Sequence, residues 1–217
     1  TINTNTDATT VDLKSYSLTL VCVGRVPSLD GLRLDTIGVK LEKGKISVNE
    51  YLKTNIDNIY AAGDCTSKIC LAHLAAYQGS VAAENIADPL HLRKANLSGI
   101  PNCIFTDPEI GSIGLTEEET KDKIDIKVNK FDFLSSGMAR ILDETEGFIK
   151  IISEKKTGEI LGASIIGPRA TELIGILTVA IQSRLKVAHL KGTILAHPTL
   201  SEGITGALKE EYGIEDI

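Results

Sequence analysis

Ile59-Tyr60-Ala61-Ala62-Gly63-Asp64 reads as a short apolar strand closed by a glycine and a carboxylate. A carboxylate at the carboxyl end of a buried strand sits where α/β sheets bind ligands, and it accepts hydrogen bonds from sugar hydroxyls there. The plainer reading is a turn held by an Asx hydrogen bond. Residues 71–86 follow with helical spacing of Leu71, Leu74, Ala75, Gln78, Val81, Ala82 and Asn85, many of them small enough for close packing. The start of that helix offers N–H groups and a positive dipole end to an anion or an electron-rich ring edge.

Composition bounds the alternatives. The chain has 217 residues, 42% hydrophobic and 24% charged, with 19 Gly and 6 Pro. This is globular composition, long enough for a real core and for two domains. A net charge of −6 and the lack of a Lys/Arg cluster speak against a nucleic-acid partner. No apolar run approaches the roughly 18 residues that span a bilayer, so no membrane partner is expected. Residues 1–10 are polar, without the basic and apolar regions of a secretory leader, and no initiator methionine is present; the chain reads as a piece of something longer. Four cysteines fit a reducing compartment, cytoplasm or mitochondrial matrix, better than a disulfide scaffold. Cys22 and Cys103 read as small core residues. No Cys or His spacing suggests a metal site.

Upstream of the opening stretch, Ser17-Leu18-Thr19-Leu20-Val21-Cys22-Val23 reads as a buried strand that ends at Gly24-Arg25-Val26-Pro27. Gly24 permits a sharp turn or close approach of a ligand. Residues 37–48 predict two short strands joined at Lys43-Gly44. Downstream, Asp88-Pro89 ends the helix, and a polar link near Asn96-Leu97-Ser98-Gly99 opens a second unit. There residues 102–106, 110–115, 124–133, 148–153 and 160–166 predict strands, the last two joined in a hairpin at Lys156-Thr157-Gly158. Thr116 and Glu119 form a capping box, and Glu117-Glu118-Glu119 reads as a solvated helix start. Residues 171–185 show one buried helical face, and a last helix is predicted from Ser201 toward Tyr212.

Within that unit, Ala196-His197-Pro198-Thr199-Leu200-Ser201-Glu202 has the parts of an oriented general base. Imidazole is the side chain whose unperturbed pKa lies nearest neutrality, and a nearby carboxylate can hold its ring and stabilise the imidazolium. Proline pushes His197 toward extended backbone, so the ring is presented from a turn. Ordinary loop chemistry accounts for the same residues equally simply. His73 reads either as a ligand-side residue or as a satisfied, partly buried histidine; His91, His189 and Arg169 read as surface or interface residues.

Taken together, Val23-Gly24-Arg25-Val26-Pro27, Ile59-Tyr60-Ala61-Ala62-Gly63-Asp64 and Leu71-Ala72-His73 resemble the flavin disulfide reductases. Phe105-Thr106-Asp107-Pro108-Glu109-Ile110-Gly111-Ser112-Ile113-Gly114-Leu115-Thr116-Glu117 resembles the opening of their dimerisation domain, and Ala196 to Glu202 its catalytic end. Leu200-Ser201-Glu202, with Ile160-Leu161-Gly162-Ala163 before Ile166-Gly167-Pro168, is similar to the dihydrolipoamide dehydrogenase branch more than to the glutathione reductases. The resemblance implies an α/β plus α+β chain, the carboxyl-terminal part of an FAD/NAD-linked reductase with a mixed-sheet interface domain. Residues 1–20 would end the NAD domain, 21–95 form the second FAD-domain segment, and 96–217 form the interface domain. It implies FAD and NAD as cofactors, with Asp64 at the ribityl or pyrophosphate region and Cys70, Leu71, Ala72 and His73 passing along the flavin. By the same resemblance Gly24 would lie near the nicotinamide, His197 would take a thiol proton and Glu202 would orient its ring. The implied partners are a second copy of the chain and a lipoyl-bearing protein or small dithiol.

The family's Gly-x-Gly-x-x-Gly loops and its redox-active Cys-x4-Cys are absent from these residues. Cys65 and Cys70 have the x4 spacing but follow Gly-Asp, so the spacing reads as coincidence, with a structural disulfide as the alternative. The resemblance therefore implies the base-donating part of a homodimer without the electron-carrying part. As an alternative, the isolated chain is a dimerisation module without a cofactor.

Overall fold

A computed structural model describes residues 2–3, 8–9, 17–18, 20–67 and 69–209. The chain divides into two compact units between Ala95 and Asn96.

The first unit contains two minimal antiparallel pairs and one long helix. β1 (Ile2–Asn3) pairs with β2 (Ala8–Thr9), and β3 (Leu41–Glu42) with β4 (Lys45–Ile46). Lys43 and Gly44, both at positive φ (51° and 77°), make the tight turn expected between the latter two. α1 (Ala72–Ala87) buries Leu74, Gln78, Val81, Ala82 and Asn85, the face read from the sequence. Val81 and Ala82 pack on Leu52, with Val48, Tyr60 and Tyr77 around them. Buried Asn85 ties this helix to its surroundings: its amide donates to the Tyr51 and Arg93 carbonyls (3.0 and 2.9 Å), and its oxygen accepts from Arg93 N–H at 2.6 Å.

Three expectations for this unit are corrected. The buried strand over Ser17 to Val23 is not found: Leu20, Val21 and Val23 are 84, 73 and 92% exposed, while Thr19 and residues 11–16 lie outside the described residues. An apolar run becomes a strand only where a neighbour pairs its N–H and C=O groups, and no described residue pairs with this one. Cys22 is exposed for the same reason and is not a core residue. Ile59 to Ala62 shrinks from a strand to a single bridge, Tyr60 opposite Lys53, flanked by Thr54 N–H to Ile59 O and Ala61 N–H to Leu52 O.

The second unit is a five-stranded sheet with helices. β5 (Asn102–Ile104), β6 (Glu109–Gly114), β7 (Ile126–Asp132), β8 (Phe148–Glu154) and β9 (Ile160–Gly167) lie in the order β5-β6-β9-β8-β7. Every ladder is antiparallel, so the α+β expectation stands while the sheet is not mixed. β8 and β9 form the expected hairpin. The short α2 (Glu117–Thr120) starts with the expected capping box: Thr116 Oγ1 accepts from Glu119 N–H at 3.2 Å, and the Glu119 carboxylate accepts from Thr116 N–H at 2.9 Å. Glu117 pairs with Lys150 at 2.6 Å, in keeping with a solvated helix start. α3 (Gly137–Leu142), α4 (Ala170–Gln182), α5 (Val187–Lys191) and α6 (Glu202–Leu208) complete the unit. α4 lies against β6 and β9, and α6 against β7 and β8. Between them Phe133, Ile149, Ile151, Ile165, Ile174 and Leu177 are essentially removed from water, each side chain contributing about 1.5–3 kcal/mol of burial. The expectation of a helix running to Tyr212 is met as far as Leu208; residues 210–217 lie outside the described residues.

Candidate functional site

The His197 loop joins α5 to α6, and its position follows from how α6 seats. Leu200 is buried ahead of the helix, and Ile204, Ala207 and Leu208 carry its apolar face into the core. Gly203 and Gly206 let the helix come close. A Cβ on Gly203 would stand 2.8 Å from Ile149 Cδ1 and 3.1 Å from the Phe131 ring, and one on Gly206 would stand 2.8 Å from that ring. Glu202, the first residue of α6, is fixed by the same contact.

Two groups converge on the Glu202 carboxylate. His197 Nδ1 lies 3.0 and 3.1 Å from its two oxygens, and Thr199 N–H donates to Oε2 at 2.9 Å. The Thr199 N–H first, and His197 second, hold the Glu202 carboxyl below the ordinary glutamate value against a smaller opposing effect of burial. An ionised carboxylate only accepts, so His197 Nδ1 carries the ring proton and Nε2 presents a lone pair. The His197 side chain is 79% exposed, which leaves Nε2 accessible to a proton donor. The Thr199 hydroxyl donates to the Ala196 carbonyl at 2.7 Å and meets the Ser201 hydroxyl at 2.8 Å. The His197–Pro198 peptide bond is cis.

In the first unit the structure brings Gly63, Asp64 and the start of α1 together. Gly63, at φ +82°, lies so near α1 that an added Cβ would meet Ala75 Cβ at 3.0 Å. Its N–H donates to Oε1 of buried Gln78 at 2.7 Å. Asp64 follows, half-buried, at the head of a turn whose Thr66 N–H and hydroxyl return to the Gly63 carbonyl, both at 2.9 Å. Leu71 is the extended N-cap residue of α1 and has no capping side chain, and the first turn carries no acid, so no side chain there offsets the positive dipole end. Cys70 and Leu71 are half-buried, whereas Ala72 and His73 are exposed, His73 more than the partly buried reading expects. This segment can offer hydroxyl groups a carboxylate and an electron-rich ring edge a helix end. Gly24 is exposed at φ +142°.

Cys65 and Cys70 are free, the Cys65 thiol donating to the Ala62 carbonyl at 3.2 Å. Cys103 is half-buried, and burial, helped by Glu109 and Glu172, pushes its thiol pKa up. His91 pairs with Asp88 at 2.9 Å and His189 Nδ1 accepts from Lys186 N–H at 2.9 Å, both as exposed residues. An open cleft of about 530 Å³ in the second unit is lined by Asp107, Asp143, Glu144, Glu146 and Arg169, without His197 or Glu202. Among the described residues no cluster of three His, Cys, Asp or Glu side chains could hold a metal, and no helix is long and apolar enough to cross a membrane.

Sequence reasoning passed over Gln78 and Thr199. Gln78 stood out only as part of a buried face, although an amide on such a face requires a partner. Thr199 was legible as the residue three before a helix-starting glutamate, the spacing of a capping interaction.

Residues 100–208 match the family model described as pyridine nucleotide-disulphide oxidoreductase, dimerisation domain. Residues 2–79 match the one described as pyridine nucleotide-disulphide oxidoreductase. The dihydrolipoyl dehydrogenase of Zymomonas mobilis is 36% identical over 204 residues, 94% of this chain and 44% of that protein. That of Geobacillus stearothermophilus is 41% identical over 93% of this chain and 42% of its own length. Among solved structures, LpdA from Mycobacterium tuberculosis superposes with a TM-score of 0.80 at 32% identity, over 86% of this chain and 41% of that one. The HOCl-induced flavoprotein disulfide reductase RclA from Escherichia coli gives 0.78 at 26%, over 85% and 43%. The chain thus spans less than half the length of these relatives.

Proposed function

This chain belongs to the pyridine nucleotide-disulphide oxidoreductase family, and from that premise we propose that it supplies the acid/base part of a dihydrolipoamide dehydrogenase-like flavoenzyme. The observation that carries the proposal is the His197–Glu202 pair, with Nδ1 held by the carboxylate and Nε2 presented to solvent. In the proposed reaction a dihydrolipoyl dithiol loses two electrons and two protons to become a disulfide, NAD+ takes up a hydride, and one proton is released. His197 Nε2 takes a thiol proton, which leaves a thiolate able to attack the enzyme's redox disulfide, a pair that lies outside these residues. Glu202 keeps the other ring proton on Nδ1 and stabilises the imidazolium that forms.

The Gly63 turn and the α1 start fit one side of a flavin nucleotide: a close-packed glycine, a carboxylate for ribityl hydroxyls at Asp64, and a positive helix end. FAD, when bound, carries the electron pair from the enzyme dithiol to NAD+. Cys70, Leu71, Ala72 and His73 pass along its ring edge in this reading, and Gly24 lies toward the nicotinamide. The enzyme is a homodimer in which one copy's His197 serves the other copy's disulfide. Its dithiol is a lipoyl-bearing protein or free dihydrolipoamide, in a reducing compartment such as the cytoplasm or the mitochondrial matrix.

The test is turnover of the complete native protein with dihydrolipoamide and NAD+, beside oxidised glutathione with NADPH. Fast NADH formation is expected. Activity with the second pair alone moves the substrate to the glutathione class. A stable dimer that contains no flavin and turns over neither pair makes the chain a dimerisation module.

A further inference from the structure

The loop that presents His197 is held by more than Glu202. The Thr199 hydroxyl gives its proton to the Ala196 carbonyl at 2.7 Å, so the Ser201 hydroxyl 2.8 Å away acts as donor to it. The chain of bonds thus runs Ser201 to Thr199 to the carbonyl just before His197. The same residue's N–H reaches forward to Glu202 Oε2 at 2.9 Å. Thr199 therefore clamps both ends of the loop. The contact that buries the loop belongs to a different residue, Leu200. Removing the Thr199 hydroxyl should leave that packing in place and release only the direction in which its N–H, and with it the carboxylate, is held.

We propose that Thr199, backed by the Ser201 hydroxyl, is a positioning residue: it aims the Glu202 carboxylate at Nδ1 and so keeps His197 as the Nδ1–H tautomer with Nε2 free. The proposal rests on the reading of His197 as the base, but its first test does not use activity. Free imidazole side chains exchange between tautomers, and the nitrogen that carries the proton is set by its hydrogen-bond partner. His189 is an internal reference of the opposite kind, because its Nδ1 accepts a backbone N–H and its proton sits on Nε2.

The experiment is imidazole 15N NMR of the complete protein at alkaline pH, with the His197 and His189 signals assigned by single-histidine substitution. Wild type should show His197 with Nδ1 protonated and His189 with Nε2 protonated. Thr199→Val, which keeps the branched shape, should move His197 toward a tautomer mixture and leave His189 unchanged. Thr199→Ser should restore the wild-type signal, and Ser201→Ala should give a smaller shift than Thr199→Val. In the complete protein, Thr199→Val should lower kcat for dithiol oxidation about tenfold, the rate equivalent of one well-aimed hydrogen bond, with KM little changed. An unchanged His197 tautomer in both Thr199→Val and Ser201→Ala would overturn the proposal. A shifted tautomer with undiminished dithiol turnover would leave Thr199 as the positioning residue and remove His197 from the chemistry.

Discussion

Gly203→Ala tests whether α6, and the carboxylate at its start, sit where the sheet puts them. The new methyl carbon would lie 2.8 Å from Ile149 Cδ1 and 3.1 Å from two carbons of the Phe131 ring, against about 3.5–4.0 Å for relaxed carbon contact. Ile149 is fully buried within the sheet core, so its side chain can move only by displacing close-packed neighbours. The helix or the ring must therefore give way by several tenths of an ångström. Overpacking of this kind costs about 1–3 kcal/mol, and each kcal/mol lowers the melting temperature of a chain this size by about 2–4 °C. Gly175→Ala is the control. It lies on the exposed side of α4, its Cβ meets nothing within 4 Å, and relief of glycine's helix penalty stabilises by about 0.5–1 kcal/mol. Thermal unfolding followed by far-UV circular dichroism should show shifts of opposite sign. Glu202 precedes Gly203 directly, so displacement of α6 also disturbs the 3.0 Å contact to His197. A Gly203→Ala melt at or above wild type would refute the packing, and with it this explanation of where Glu202 stands.

Three further outcomes follow. Gln78→Leu removes the acceptor of the Gly63 N–H in a buried setting; it should destabilise the first unit by about 1–3 kcal/mol and weaken FAD retention by the complete protein, measured by flavin released on dialysis. Glu202 is held below the ordinary glutamate value by Thr199 N–H and His197. A carboxyl with a depressed folded-state pKa contributes stability above its unfolded value and loses that contribution as pH falls through the folded one. Melting of Glu202→Gln against wild type should therefore differ at neutral pH and converge in acid, and a constant gap from neutral to strongly acidic pH would count against the pair. Gly162→Ala would place a Cβ 1.9 Å from the Leu115 carbonyl oxygen, so it should cost about 3 kcal/mol or more, seen as a lowered denaturant midpoint or insoluble expression.

Much of the second unit was legible because its elements bury one face at a regular period. Leu173, Ile174, Leu177 and Ala180 repeat as α4 requires, and β8 and β9 meet around a glycine turn. The Thr116–Glu119 capping box was readable from local spacing alone. α3 and α5 escaped because six and five residues are too short for periodicity; Ser136, which accepts from Ala139 N–H at 3.3 Å, was the available sign of α3. The sheet's strand order depends on long-range pairing of β6 with β9, which no local pattern encodes. The first unit was read less well. The apolar run through Leu20 and Val23 asks for a strand partner, and periodicity registers that demand whether or not any described residue meets it. At the site, His197 and Glu202 were close enough in sequence to be paired on paper. The Gly63–Gln78 bond, fifteen residues apart, required knowledge of how α1 lies beside the turn.

The most direct measurement is dihydrolipoamide-dependent reduction of NAD+ by the complete protein, wild type beside His197→Gln, with bound FAD quantified in both. Glutamine keeps a polar side chain beside Glu202 but cannot take the thiol proton. The account predicts a loss of at least about a hundredfold in turnover with FAD content unchanged. Near-wild-type turnover in a variant that holds its full complement of FAD would contradict it.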